Sequence, residues 1–475
     1  MTVPNFADTT VAAGEDTVDV DPLPLERVTE LGHAHRLVAV AAGRLRYVPT
    51  WRRWLVWDGR RWAEDQTGQA ERTAKAVARS VTRRAADDLA TGRCHDEAEA
   101  KAALRAALRL ESNAAIRGTL ALAGTELGIA VAPDQLDAHP ELLNVTNGVL
   151  NLNTSELLDH DPQLLLTKLA PAAYHRDAIA PVFEAFLVRI QPDQQMRDFL
   201  ARQLGYGLLG RVTEHVMPIW YGTGANGKST LITAVDGALG DYAGTTDPGL
   251  LIDRGYDAHP TGVADLFGRR LAFTHETDDQ RRLAEGTVKR LTGGDVIKAR
   301  RMREDFWQFT PSHLLIMVTN HLPVVRGTDN GIWRRLPVVP FDERIPTAEQ
   351  DPDLGDKLAA ERNGILSWLV AGHAQWRHRG LAAPERVTQA SAEYRKAQDA
   401  LARFLDDCCL LNAMVSVRST QLYAAWQGWA TKEGIEPGTQ TAFSLAMANR
   451  GLPSHKSDGR AVFRGVALLA REEEP

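Results

Sequence analysis

Cysteine is almost absent from this chain. The three that occur, Cys94 and the adjacent Cys408 and Cys409, have neither the spacing of a metal cluster nor the pattern of a disulfide framework. They read as reduced packing thiols of a cytosolic protein. No apolar run reaches the roughly 18 residues that span a bilayer. The opening segment MTVPNFADTTVAAGEDTVDVDPLPLE lacks the basic start and apolar core of a secretory leader. The expectation from these absences is a chain in water, in the cytoplasm, with no membrane partner. A general excess of positive charge is also missing. With a formal net charge of −6, any contact with nucleic acid has to come from local basic patches.

What the chain does have is length. At 475 residues, 44% apolar and 24% charged, it exceeds one core of ordinary size and suggests about three domains. The expected organisation is an acidic, loose tail over 1–31 and an α+β region over 32–130. A helical platform follows over 131–211, then an α/β core over 212–345, a helical lid and connector over 346–400, and a small unit over 401–475. In the second region WLVWDGRRWAED reads as a hairpin turning at Asp58-Gly59. Its Trp54, Trp57 and Trp62 suit a small β-core better than a base-stacking surface. In LLNVTNGVLNL, Asn147-Gly148 marks a second turn, and PVFEAFLVRI and MRDFLARQLGYGLLG carry helical periodicity. Between Val212 and Phe341 short apolar strands alternate with helices and glycines, as in a parallel α/β sheet.

The strongest chemical signal is VMPIWYGTGANGKSTLITAV, a strand, a glycine-rich turn and a helix start that fit G-x-x-x-x-G-K-[ST]. The cofactor-binding residues it nominates run from Gly222 through Thr223, Gly224, Ala225, Asn226, Gly227, Lys228 and Ser229 to Thr230. Backbone N–H groups would cradle phosphates at a helix N-terminus, Lys228 would reach the β- and γ-oxygens, and Ser229 would hold Mg²⁺. ATP and Mg²⁺ are the implied cofactors. This loop alone does not separate kinases, transporters, GTPases and motors.

Downstream, FGRRLAFTHETDD ends an apolar strand in Glu276, Asp278 and Asp279, carboxylates suited to orient water and, for Glu276, to hold the metal. HLLIMVTN is a continuous apolar strand ending in Asn320, whose amide could bond the γ-phosphate or the water. GIWRRLPVVPF puts Arg334 and Arg335 before another strand, where a guanidinium could stabilise phosphoryl charge.

Taken together, GTGANGKST, FGRRLAFTHETDD, KRLTGGDVIKAR, LLIMVTNHLP and RGTDNGIWRRLPVVPF closely resemble the superfamily 3 helicase domain of phage and plasmid primase-helicases, relatives of the poxvirus primase-helicase. LLNVTNGVLNL and FLARQLGYGLLG extend the resemblance upstream. The resemblance implies a multidomain α/β protein with a P-loop, AAA+-like ATPase core, a mainly helical N-terminal region and a C-terminal winged helix. It implies Lys228, Ser229, Glu276, Asp278 and Asn320 as site residues, with Arg334 or Arg335 as a finger reaching a neighbouring subunit. Thr277 departs from the adjacent acids common in that family. A hexameric ring moving 3′ to 5′ on single-stranded or forked DNA is implied by the same likeness, in a bacterial host, with a separate primase or origin-binding protein as a further partner.

The basic segment fits that reading. Lys289, Arg290, Lys298, Arg300, Arg301 and Arg303 face the single acid Asp295, and DVIKAR and EDFWQF can form hairpin arms with Arg301, Met302 and Arg303 near the tip and Phe306 and Trp307 supporting the base. Lys298, Arg300, Arg301 and Arg303 are the expected DNA-binding residues. At the C-terminus, two helices and a hairpin turning at Asp458-Gly459 suggest the winged helix, with Arg450, Lys456 and Arg460 near phosphates. Rival functions are the helicase part of a primase-helicase whose priming resides in a separate chain, a DNA-bound ring ATPase that does not unwind, and a protein-remodelling ring. The chain itself is not expected to make primers unaided.

Overall fold

The computed structural model describes residues 28–469 apart from 42, 95, 254–259, 276–280, 301–305, 328 and 458. The expected acidic tail thus falls largely outside the described residues, although its last positions do not: Thr29 caps a helix over Glu30–Val40.

The architecture rests on a mixed α/β core with five parallel strands, in the spatial order Val338–Pro340, Ile219–Tyr221, Leu314–Thr319, Leu271–His275 and Ala243–Thr246. Burial explains the continuous apolar run LLIMVT: all six of its residues are covered. Alternate side chains serve two different cores. Trp220, Phe273, Ile316, Val318 and Val339 pack on one face with the helices Phe183 and Leu204 belong to. Ile219, Ala272, Leu315, Met317 and Val338 face the other side, where they meet Trp51, Trp62 and Trp307. Trp220 lies 5.3 Å from the ring of Phe341 and 6.0 Å from that of Phe273. Burying such a ring stabilises the fold by on the order of 3 kcal/mol.

On the first face, helix Gln194–Gly207 lies directly on helix Arg362–Arg379. Their backbones touch where neither has a side chain. A Cβ on Gly205 would come within 2.2 Å of the His373 nitrogen, and one on Gly372 within 2.0 Å of the Ala201 carbonyl oxygen. Arg270 binds the preceding segment to the sheet. Its guanidinium donates to the carbonyls of Pro140 (2.9 Å), Leu208 and Leu142 and lies over the Tyr242 ring.

Local chemistry departs from the expected turns in three places. The loop between Arg53–Trp57 and Trp62–Glu64 has four residues, because Trp57 pairs with Trp62 and the Asp58 carboxylate accepts from the Arg60 and Arg61 amides. In the second hairpin Gly148 pairs with Val145, which makes Thr146-Asn147 the loop, and Asn147 bridges both backbone groups of Tyr174. The continuous helical periodicity of QASAEYRKAQDALARFLDD breaks at Asp399, which caps Ala400–Cys408 after Glu385–Gln398 ends. Trp62 is buried, donates to the Pro162 carbonyl and stacks under Arg46, while the partly buried Trp54 and Trp57 pack on Tyr47 and Trp62.

The C-terminal unit has its own core around Phe404, Leu422, Phe443, Met447 and Phe463. Besides the expected helices Ser419–Lys432 and Gln440–Asn449 and the strands Ser454–Ser457 and Arg460–Leu468, it contains Cys409–Arg418. That strand pairs antiparallel with Arg460–Leu468. Among the described residues no helix is long and apolar enough to cross a membrane.

The helix contact yields a test. Gly372→Ala should cost roughly 1–3 kcal/mol, since backbone must move to admit the methyl group, and the melting temperature should fall by several degrees. Gly355→Ala, at an open helical position, is the control and should leave it unchanged or slightly raised. Equal melting curves for the two variants would show that the helices do not meet as described.

Candidate functional site

The three strands Ile219–Tyr221, Leu271–His275 and Leu314–Thr319 end together, because parallel register pairs Tyr221 with Thr319 and Val318 with His275. The segments leaving their C-terminal ends therefore meet at one sheet edge. After Tyr221 the chain makes the glycine loop. Gly224 and Gly227 adopt φ of 99° and 80°, and Ala225 takes φ 50°, a left-handed geometry that strains a residue with a side chain. Two close approaches show why glycine is needed: a Cβ on Gly222 would sit 2.3 Å from the Phe341 carbonyl oxygen, and one on Gly227 2.4 Å from Ile190. The loop is anchored by Asn226, whose amide donates to the Phe341 carbonyl, and by the Ala225 carbonyl, which accepts from the Ile345 amide.

Helix Lys228–Leu239 begins at Gly227, with no side chain capping its first amides. Those amides and the positive end of the helix face a cavity of about 270 Å³ lined by Gly224, Ala225, Asn226, Gly227, Lys228, Ser229, Thr230, His275, Val318, Thr319 and Asn320. Gly222 and Thr223 form the turn that leads into it. Lys228 is 4% exposed. Its ammonium donates to the Gly222 carbonyl at 2.7 Å, Asn226 Oδ1 at 3.2 Å and Asn320 Oδ1 at 3.3 Å. No carboxylate pairs with it among the described residues, and burial lowers its pKa to about 8. A buried cation held, among the described residues, by neutral oxygens beside uncapped amides at a helix N-terminus is suited to hold an anion with several oxygens.

Lys228, Ser229 and Asn320 are thus brought to one cavity. Glu276 and Asp278, with the metal role expected for Glu276, lie outside the described residues. His275, the residue just before them, lines the cavity and was not singled out from the sequence. Burial and then the charge of Lys228 push its pKa down, and its position as the last residue of the strand was the available signal.

Arg334 and Arg335 are not brought to this cavity. The Met217 amide donates to the Arg335 carbonyl at 2.6 Å, so the pair sits beyond the opposite ends of the strands, roughly 15 Å from the glycine loop by strand rise. They also differ from each other. Arg335 is occupied within its own chain, donating to the Gly331 carbonyl at 2.5 Å and Thr292 Oγ1 at 3.1 Å. Arg334 is exposed and makes no side-chain hydrogen bond among the described residues.

The basic segment forms the expected hairpin arms at that same far edge. Ile297–Ala299 pairs antiparallel with Trp307–Phe309, placing Lys298 opposite Gln308. Lys298 is exposed and Arg300 half-buried, while Arg301 and Arg303 lie outside the described residues. Trp307 supports the base, as expected, packing edge-on against Trp51 and Phe267. Phe306 does not; it is 49% exposed.

Fold and site define a mixed α/β protein whose parallel sheet carries a glycine loop and a buried lysine at one edge and a basic hairpin at the other. One family model, described as D5 N terminal like, matches residues 34–192, and another, a family of unknown function (DUF5906), matches residues 220–335. The chain is 28% identical over 319 residues to a "putative helicase" of Acanthamoeba polyphaga mimivirus, covering 62% of this chain and 33% of that protein. It is 25% identical over 313 residues to a "putative primase" of African swine fever virus, covering 57% of this chain and 31% of the relative. The chain therefore spans about a third of the length of these relatives. Among solved structures, the A form apo structure of the NrS-1 C-terminal region is 10% identical, with a TM-score of 0.48 over 92% of this chain and 98% of that one. These matches fit a primase-helicase family. These relatives are viral, and they lend no support to the bacterial host expected from the sequence.

A pH series tests the anion site. Because burial holds the Lys228 pKa near 8, the ammonium needed by an anion is lost as pH rises through and somewhat above that value, bound anion itself favouring the proton. Pyrophosphate affinity measured by calorimetry should hold up to about pH 8 and weaken towards about pH 10. A flat profile across that window would remove Lys228 from the site.

Proposed function

We propose that this chain is an ATP-dependent superfamily 3 DNA helicase that assembles as a hexameric ring and unwinds duplex DNA by moving on a single strand. The observation that carries the reading is the buried Lys228 ammonium, held by neutral oxygens at an uncapped helix N-terminus within a glycine loop.

The residues fit the proposed cofactors. The cradle excludes any side chain at Gly222 and Gly227, which leaves backbone amides free to approach phosphate closely. Bound ATP would supply the transferable phosphoryl group and Mg²⁺ the positive charge that its oxygens require. Amides of the Ala225–Thr230 segment would hold the phosphates, Lys228 would place its charge at the β- and γ-oxygens, and Ser229 would offer the hydroxyl for the metal. Asn320, already within 3.3 Å of Lys228, orients the water or the γ-phosphate. Glu276, with Asp278 as the alternative, is assigned as the carboxylate that activates water and completes the metal site.

The opposite-edge position of Arg334 supports a finger that acts on a neighbouring subunit, since it is remote from its own loop. Arg335, engaged with Gly331 and Thr292, is assigned to holding that segment. Lys298, Arg300, Arg301 and Arg303 are assigned to DNA phosphates. The order of the five strands, with the Asn320 strand inserted between the glycine-loop strand and the strand leading to Glu276, supports the AAA+-like reading of the core. Two helices and a three-stranded antiparallel sheet support the winged-helix reading of the C-terminal unit. There Lys456 and Arg460 are exposed, whereas Arg450 is paired with Asp399.

Lys228→Ala should lower ATP turnover by at least about a hundredfold with circular dichroism unchanged. Unaltered turnover would remove the P-loop assignment. Arg334→Ala should be inactive yet melt like the parent, whereas Arg335→Ala should melt lower through loss of its two hydrogen bonds. Mixing Lys228→Ala with Arg334→Ala subunits should restore part of the ATPase and of forked-DNA unwinding at interfaces that combine an intact loop with an intact finger. No recovery despite demonstrated subunit exchange would overturn action between subunits. ATPase stimulated by single-stranded DNA without unwinding would instead identify a DNA-bound ring ATPase.

A further inference from the structure

The arms of the basic hairpin sort their side chains by parity. Trp307 and Phe309 turn inward and are buried, with Gln308 exposed between them. Phe306, one residue before Trp307, therefore belongs to the outer surface with Gln308 and with Lys298, the cross-strand partner of Gln308. The ring stays half exposed, and no other aromatic packs on it among the described residues. Two cations hold it instead. The Lys298 ammonium lies 4.7 Å from the ring centroid and the Arg300 guanidinium 5.0 Å. A large apolar ring left in water loses the benefit of burial, and it draws charges that would otherwise spread into solvent. The result is a half-exposed π ring with two positive groups lying over it. Its chemistry complements a nucleotide of a single strand, which presents a base with a π face and a phosphate beside it.

We propose that Phe306 is a base-stacking platform for single-stranded DNA, with Lys298 and Arg300 held by its ring at the flanking phosphates. The proposal rests on the DNA reading above and adds to it a contact to the base that charge alone does not provide. Stacking tolerates every base, so the contact binds without reading sequence.

The experiment uses the full chain with ATP analogue and two fluorescent oligonucleotides of equal length, one of thymidine and one of abasic sugar-phosphate. Phe306→Leu keeps apolar volume and loses the π face; Phe306→Trp keeps a π face. The leucine variant should bind the thymidine strand roughly five- to a hundredfold more weakly. It should bind the abasic strand within about twofold of the parent, with the tryptophan variant close to the parent on both. The salt slope should stay the same, because no phosphate contact is removed. Equal losses on both strands, or a shallower salt slope, would mean that the ring only positions the cations, and stacking would be overturned. Loss of ring assembly by light scattering in the leucine variant would assign Phe306 to a subunit interface and overturn the proposal as well. Failure of the parent to bind either strand would instead strike the DNA reading on which the proposal stands, whereas tight parental binding with no effect of leucine strikes the stacking alone.

Discussion

Parallel pairing of Ile219–Tyr221 with Leu314–Thr319 is the constraint on which the rest of the molecule depends. Parallel strands deliver all their C-terminal ends to one edge. The register Tyr221 to Thr319 places Gly222 and Asn320 level with one another, and the Gly222 amide donates to the Thr319 carbonyl. Lys228, one loop further on, then has no choice but to meet Asn320. The same rule sends the segments that enter the strands to the opposite edge, and this is where the hairpin, Arg334 and Arg335 are found.

At the loop edge, a cation with no carboxylate partner among the described residues is kept in a site that burial makes unfavourable. Its three oxygen partners satisfy its hydrogen bonds without neutralising it, and the lowered pKa records the difference. The crowded glycines restrict the loop's shape by sterics, and hydrogen bonds from Asn226 to Phe341 and from Ile345 to Ala225 anchor it. A preorganised loop of this kind spends little on rearrangement when an anion arrives.

At the hairpin edge, order comes from aromatic packing. Trp51 of the N-terminal unit lies edge-on to Phe267 and Trp307, which couples that unit to the base of the hairpin. Phe309 and Ile297 join the same core. The strand Leu314–Thr319 runs from this cluster to Asn320, so one rigid element touches both edges.

Local chemistry was legible wherever it depended on neighbours in the chain. The glycine loop, the apolar strands before His275 and Asn320, the hairpin arms around Lys298 and the C-terminal helix that begins at Thr439 each rest on patterns a few residues long. Other features depend on distant partners. The four-residue loop at Asp58 is set by the pairing of Trp57 with Trp62, and Cys409–Arg418 is a strand because Arg460–Leu468 lies beside it. Sequence by itself determined which residues could cradle phosphate and where the charge of the hairpin lies, since φ, donor type and charge are properties of the residue. Only the tertiary structure decided that Arg335 is occupied while Arg334 is exposed, that His275 joins the cavity and that Phe306 faces water while Trp307 does not. Those outcomes depend on which groups from elsewhere in the chain occupy the space around each side chain.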